Sequence, residues 1–130
     1  MVLAFVALAA SMQVAAPAPG PASEVVVMGQ KLKNWRASVR DRNGRVDCKV
    51  KVSSGDKEID AVGCQAMTTC MAQMRPRLPS TIDKSLSAAE REANNQSLNR
   101  DLTACVKTNH DTGLAALAER RYQARQGARR

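Results

Sequence analysis

The pair Asn43-Gly44 constrains the fold of this chain more than any other feature of its sequence. Asparagine followed by glycine favours a two-residue hairpin turn, because both positions of that turn need a positive φ. Apolar and polar residues alternate on both sides of the pair, as they do in half-buried strands. A turn at 43–44 puts the apolar positions of both strands on one face, whereas a one-residue slip would separate them. The predicted cross-strand pairs are Arg42–Arg45, Val39–Cys48, Ala37–Val50 and Trp35–Val52.

A helix is predicted directly after the hairpin, from about Lys57 to Met74. Asp56 can accept hydrogen bonds from the first backbone N–H groups of this helix, and the negative charge of Glu58 suits its first turn. Pro76 follows the predicted end, where proline cannot continue a helix. One helical face is formed by residues that recur every three or four positions, namely Ile59, Val62, Gly63, Ala66 and Cys70.

The C-terminal part of the chain is predicted to be helical in two pieces. The first piece begins at Ser80 or Thr81 and bends near 94–96, where Asn and Gln support a helix weakly. A break over 109–113 places His110 at a helix end. A short last helix is predicted from 114 to about 125.

The N-terminal residues have the character of a leader. Val2 to Ala10 is apolar and has the length of the hydrophobic region of a secretory signal, although no Lys or Arg precedes it. Residues 1–20 are therefore predicted to be a signal peptide or a truncated leader, with an uncleaved inner-membrane anchor as the alternative. Glu24 to Gly29 follows, and its run of valines predicts a short strand or an extended arm.

Four cysteines remain in the predicted exported part, and an even number in that context indicates two disulfides. They are Cys48, Cys64, Cys70 and Cys105, whose spacing alone leaves three connectivities open. No CxxC pair is present and the single histidine, His110, lies five residues after the last cysteine. Neither a metal site nor free-thiol redox chemistry is predicted, and we expect no cofactor.

Positive charge is concentrated in two parts of the chain, whose net charge is +8. From Lys31 to Glu58 there are nine basic and four acidic residues, a surplus of five. From Glu119 to Arg130 there are five arginines and one glutamate, a surplus of four. Such charge favours anionic surfaces, namely lipid head groups, nucleic acid or an acidic protein patch, and an exported protein would seldom meet nucleic acid. A solvated basic surface without a specific anion site is the preferred interpretation.

Two serines at the end of the predicted hairpin, Ser53 and Ser54, raise the question of a nucleophilic site. No histidine lies near them in sequence, and serines at a strand-to-helix turn commonly satisfy backbone groups instead. Asp60 is expected in the first helical turn, where the helix dipole favours a carboxylate. We therefore predict no catalytic residues and no enzymatic activity.

Residues 36–76 combine a glycine turn, a valine-rich strand, a Ser-Ser-Gly turn and, three residues later, an Ile-Asp pair. In this combination the segment resembles the C-terminal domain of the TonB energy-transducer family. The matching residues are Gly44, Val46, Ser53, Ser54, Gly55, Ile59 and Asp60. Cys48 and Cys64 have the spacing found in small exported, cysteine-bearing relatives. The segment after the helix lacks the aromatic residue of the family's peptide-binding strand.

The resemblance implies an α+β fold in which a helix packs on an antiparallel hairpin or three-stranded sheet, with a helical tail. It also implies a Cys48–Cys64 clamp between strand and helix, which leaves Cys70 to pair with Cys105. The expected organisation is a leader over 1–20, a TonB-like domain over 24–78, and a tail over 80–126 tied to that domain.

Two functions are expected from these features. The first is a periplasmic or secreted, non-catalytic module that pairs by strand addition with an extended peptide of an envelope or outer-membrane protein. The segment 24–29 also resembles the short receptor peptide that TonB domains bind, and its own sheet is the expected partner. The second is a basic envelope-associated structural protein that binds anionic lipid or polymer. No nucleic-acid partner is expected.

Overall fold

The computed structural model describes residues 20–129 and has an α+β architecture. All of the predicted leader except Gly20 lies outside the described residues. The elements in chain order are α1 (Pro21–Leu32), β1 (Arg36–Arg42), β2 (Arg45–Val52), α2 (Lys57–Met74), a 3₁₀ segment (Arg75–Thr81) and α3 (Ala88–Ala128). Helix α2 lies between the hairpin on one side and α1 and α3 on the other.

The hairpin has the predicted turn and, over most of its length, the predicted register. Asn43 and Gly44 have φ values of 52° and 82°, as a two-residue turn of this kind requires. Three of the four predicted pairs are present, Arg42–Arg45, Val39–Cys48 and Ala37–Val50. The fourth is wrong: an irregularity between Arg36 and Ala37 brings Arg36, not Trp35, opposite Val52. Within residues 20–129 the sheet has two strands, so the three-stranded alternative is not what forms.

Helix α2 spans the predicted residues, Lys57–Met74. The Asp56 side chain accepts hydrogen bonds from the backbone N–H groups of Glu58 and Ile59, which is the predicted N-cap. The buried residues of the helix are four of the five that define the predicted stripe, Ile59, Gly63, Ala66 and Cys70. Local signals therefore fixed both the start of this helix and the face that it buries.

The main core is built by the three helices. Its buried members are Met28, Ile59, Leu114, Leu117 and Ala118. The predicted strand or arm at 24–29 is wrong, because this segment is part of α1. Pro21 stands at the first helical position, and Val25, Met28 and Leu32 lie on one helical face against the core. Packing of that face outweighs the strand preference of the valines.

Helix α3 is one continuous helix of 41 residues, about 60 Å long, where two pieces were expected. It begins after Ser87, which forms a capping box with Glu90, and not at Ser80 or Thr81. The predicted break at 109–113 is wrong. A Cβ on Gly113 would lie 2.8 Å from Val62 Cγ1, so this glycine allows close approach of α3 and α2. His110 consequently lies inside the helix.

Two disulfides join these elements. Cys48–Cys64 connects β2 to α2, and Cys70–Cys105 connects α2 to α3. These are the pairs that the resemblance implied. Cys70 is fully buried on the α2 stripe, where it faces α3, while Cys64 lies to the side and reaches the hairpin. Both disulfides are consistent with an oxidising compartment.

Trp35 connects the hairpin to the helices. Its side chain is 7% exposed and packs on α2 at Gly63, where a Cβ would lie 2.8 Å from the indole Cζ2. The ring of His110 meets the indole edge-on, with 6.2 Å between ring centroids. Trp35 therefore anchors the hairpin on α2.

Candidate functional site

The corner between β2 and α2 holds most of the residues that matched the TonB motif. Ser53 Oγ and Ser54 Oγ donate hydrogen bonds to the Asp60 carboxylate, at 2.5 Å and 2.6 Å, and the Ser54 backbone N–H donates at 2.8 Å. Gly55 has a φ of 87°, a value that favours glycine. Ile59 is fully buried. The serine hydroxyls are thus used to hold the turn, which is the arrangement of a structural corner.

Asp60 is ionised more readily than a free aspartate. Its partial burial opposes ionisation, but the hydrogen bonds from Ser53 and Ser54 outweigh that effect and lower the pKa of Asp60. Sequence reasoning placed Asp60 correctly in the first helical turn and missed its link to the serines. The serines precede Asp60 by seven and six residues, with a glycine turn between, and this spacing is the signal that could have revealed the link.

The other two matched residues, Gly44 and Val46, belong to the hairpin turn and the start of β2. Val46 is half-buried on the face that contains Val39, Cys48 and Val50, the face turned to α2. These residues position the hairpin on the helix and leave its opposite face to solvent.

That opposite face, which we call the basic face, carries five cations and one carboxylate. The register places Ser38, Arg40 and Arg42 of β1 beside Lys49, Asp47 and Arg45 of β2, and Lys51 follows on the same side of β2. The five basic side chains, those of Arg40, Arg42, Arg45, Lys49 and Lys51, are all exposed.

The basic face is slightly concave. A shallow cavity of about 140 Å³ is lined on the β1 side by Ser38, Arg40 and Arg42, and on the β2 side by Asp47 and by residues 48, 49 and 51. Asp47 is paired with Arg45 at 3.3 Å, which partly neutralises the single carboxylate. Cations from two strands therefore converge on one shallow surface.

Two arginines of the second basic region, Arg121 and Arg125 at the end of α3, form ion pairs within the molecule. Arg121 contacts Asp56 at 2.9 Å and Glu58 at 2.6 Å, and Arg125 binds Glu24 through both carboxylate oxygens. The hydrogen bond from Arg125 lowers the pKa of Glu24. These arginines tie α3 to the starts of α1 and α2. The surplus of charge over 119–130 therefore overstates the positive charge that this region presents to a ligand, which comes from the exposed Arg120 and Arg129.

Sequence reasoning counted the charges but did not assign them to faces. For the hairpin the sequence does indicate the face, because the register predicted from Asn43-Gly44 puts the basic residues on one face and the apolar residues on the other. For Arg121 and Arg125 no local signal exists, since their partners lie 63 to 101 residues away in sequence.

The segment at which the TonB family has its peptide-binding strand takes another form here. Residues Arg75–Thr81 form the 3₁₀ segment, and both strands of the hairpin have a single hydrogen-bonded neighbour within the described chain. Each strand therefore has one edge without a neighbouring strand, which we call its open edge. The open edges belong to β1 and β2, and not to a strand that follows α2.

No group of three or more His, Cys, Asp or Glu side chains suited to a metal ion is found in residues 20–129. None of the helices described there is long and apolar enough to cross a bilayer. No protein-family model, curated protein or solved structure matches the chain.

Proposed function

We propose that this chain is an exported, non-catalytic binding module that recognises polyanionic surfaces of the cell envelope through the basic face. The observation that carries the proposal is the convergence of Arg40, Arg42, Arg45, Lys49 and Lys51 on one exposed side of a two-stranded sheet. The two disulfides support export to an oxidising compartment such as the periplasm.

A polyanion is the ligand class that suits such a surface. Clustered like charges raise the local potential and attract a ligand that presents repeated negative groups. Near an anionic membrane, each Lys or Arg contributes about 1 kcal/mol of attraction. The disulfide Cys48–Cys64 fixes the hairpin on α2, so the backbone that carries the cations is held in place before binding.

The experiment that tests the proposal is charge reversal on the basic face. The variant Lys49→Glu/Lys51→Glu should weaken binding to polyphosphate, and to vesicles containing phosphatidylglycerol, by at least about tenfold at low salt. The matched control is Arg100→Glu/Arg120→Glu, which makes the same change of net charge at exposed positions of α3. Binding that is unchanged in the first variant, or reduced equally in both, would refute the proposal.

The two ligands separate the possible sources of negative charge. Binding to vesicles and not to polyphosphate indicates lipid head groups, whereas the reverse result indicates an anionic polymer. In both cases the affinity should fall as salt rises from 0.05 to 0.5 M, about a threefold decrease in screening length.

A second candidate function is strand addition of an extended peptide from another envelope protein, as the TonB resemblance implies. The open edges of β1 and β2 favour it. Replacement of Val39 in β1 or of Val50 in β2 by proline would remove one backbone N–H donor from the hairpin. Only a peptide ligand would depend on the donors at the unpaired edge of a strand. Peptide binding that survives charge reversal on the basic face would support this function over the first.

A further inference from the structure

An exposed apolar surface lies beside the hairpin turn, and we call it the apolar lobe. It is formed by Leu78, Pro79 and Ile82, with Arg75 and Asp83 at its border. Ile82 is 76% exposed, the highest value among the exposed large hydrophobic side chains of residues 20–129. An aliphatic side chain exposed to this degree gains free energy when another surface covers it.

The apolar lobe is fixed in position by polar contacts of its own segment. Arg77 binds Asp101 of α3 at 2.6 Å and Ser97 at 3.1 Å. The Asn94 side chain donates to the Ser80 carbonyl at 3.1 Å, and Thr81 Oγ1 donates to the Leu78 carbonyl at 2.7 Å. The lobe is therefore presented by an ordered backbone that α3 supports.

One cation at the border of the lobe links it to the hairpin. Arg75, at the border of the lobe, binds Asp41 of β1 at 2.8 Å. This contact ties the border of the lobe to β1 at the residue before Arg42, which with Arg45 flanks the hairpin turn. Lys84 follows Ile82 by two residues and is exposed. Asp83 is the carboxylate at the border, and it accepts two hydrogen bonds from Ser85.

We propose that the partner of this protein is an anionic lipid bilayer, into whose head-group region the apolar lobe inserts while Arg42, Arg45 and Lys84 contact the lipid phosphates. This inference rests on the proposed function, because it names the polyanion that the basic face would meet. A soluble polyanion offers no apolar region that could cover an exposed aliphatic side chain. Exposed aliphatic groups beside Lys and Arg suit the boundary between head groups and acyl chains, where both interactions are satisfied together.

Depth-dependent fluorescence tests the inserted position directly. The variant Ile82→Trp is mixed with phosphatidylglycerol vesicles that contain brominated lipid, which quenches tryptophans at the membrane boundary. The matched control is Val52→Trp, an exposed valine at the other end of the same hairpin, about 20 Å from the turn. Buried Trp35 supplies a constant background in both variants. We expect strong quenching for Ile82→Trp and a small change for Val52→Trp, and equal quenching in the two would overturn the inference.

Affinity measurements separate the two proposals. Ile82→Ser should bind the same vesicles about tenfold more weakly than the unaltered chain and should bind polyphosphate equally well. If vesicle binding is unchanged in Ile82→Ser but lost in Lys49→Glu/Lys51→Glu, the bilayer inference fails and the proposed function stands. If the affinity for polyphosphate and the affinity for vesicles are both unchanged in Lys49→Glu/Lys51→Glu, the proposed function fails.

Discussion

Gly63 is the residue at which the hairpin, α2 and the single tryptophan meet. The Trp35 ring occupies the space that a side chain at this position would need, with a distance of 2.8 Å from the ideal Cβ to the indole Cζ2. The close approach allows the indole to be buried although the chain has few aromatic residues with which to cover it.

Replacement of Gly63 by alanine is expected to destabilise the protein by about 1–3 kcal/mol, because the added methyl group overpacks the indole. The higher helix propensity of alanine offsets only part of that cost. The matched control is Gly29→Ala in α1, where nothing lies within 4 Å of the added Cβ. This variant should be more stable by about 0.5–1 kcal/mol. Urea unfolding measures both, and a Gly63→Ala variant as stable as the control would contradict the packing described here.

Carboxylates at the starts of α1 and α2 contribute to the pH dependence of stability. For Asp56 and Asp60, burial raises the pKa, but hydrogen bonds, from Arg121 and from the two serines respectively, outweigh it. For Glu24 the hydrogen bond from Arg125 is the main effect. All three pKa values are lower in the folded protein, so the unfolded chain binds protons first as the pH falls.

The free energy of unfolding is therefore expected to be nearly constant from pH 7 to about pH 5 and to fall below about pH 4, where the unfolded carboxylates become protonated. Asp60→Asn should be less stable at pH 7 by about 1 kcal/mol, a modest value because the carboxylate is partly in contact with solvent. The fall in acid should be shallower for this variant. Urea unfolding at several pH values measures it, and identical pH profiles for both proteins would show that Asp60 is not a stabilising group.

At the scale of the elements, the two disulfides stabilise different contacts. Cys48–Cys64 closes a loop with a sequence separation of 16 and holds the hairpin to α2. Cys70–Cys105 closes one with a separation of 35 and holds α2 to α3. Loop entropy in the unfolded chain predicts contributions of about 3 and about 4 kcal/mol.

The double variant Cys70→Ala/Cys105→Ala should accordingly lose more stability than Cys48→Ala/Cys64→Ala. Cys70 is fully buried, so its truncation also removes packing in the interior. Thermal unfolding of both variants under oxidising conditions measures the difference. The reverse order of stability would show that the hairpin clamp, and not the α2–α3 link, is the principal covalent support of the fold.

Those elements that sequence reasoning predicted well have strong local signals. The positive φ of Asn43 and Gly44 and the cap at Asp56 act over a few residues, so the hairpin register and the bounds of α2 could be derived. The predicted register fails at the irregularity between Arg36 and Ala37, directly after Trp35, whose indole packs on α2.

The elements that were predicted wrongly are those fixed by distant contacts. The valines of α1 favour a strand by themselves and become helical because Met28 packs on α2 and α3. Gly113 is a residue type that often ends a helix, but here it lies inside α3, where Val62 of α2 approaches closely. Both contacts join residues that are far apart in sequence, so the residues next to Met28 and Gly113 do not reveal them. The basic face was derivable from the hairpin register, whereas the position of the apolar lobe depends on contacts across 14 to 34 residues, such as Arg77–Asp101 and Arg75–Asp41.

At the scale of the whole molecule, the positive charge is divided between two uses. At the end of α3, Arg121 and Arg125 neutralise acidic residues of α1 and α2 and so hold the three helices together. On the hairpin, the cations are exposed and share one surface with a single carboxylate. Arg121 and Arg125 therefore serve stability, and binding is proposed for the basic face.

Mapping of amide chemical shifts during titration with polyphosphate tests this central assignment most directly, because it locates the ligand without altering the protein. We expect the largest shift changes to cluster on residues 38–51 of the hairpin and to disappear in 0.5 M salt, since screening weakens attraction between exposed charges. Changes confined to α3, or no changes at all, would contradict the assignment of binding to the basic face.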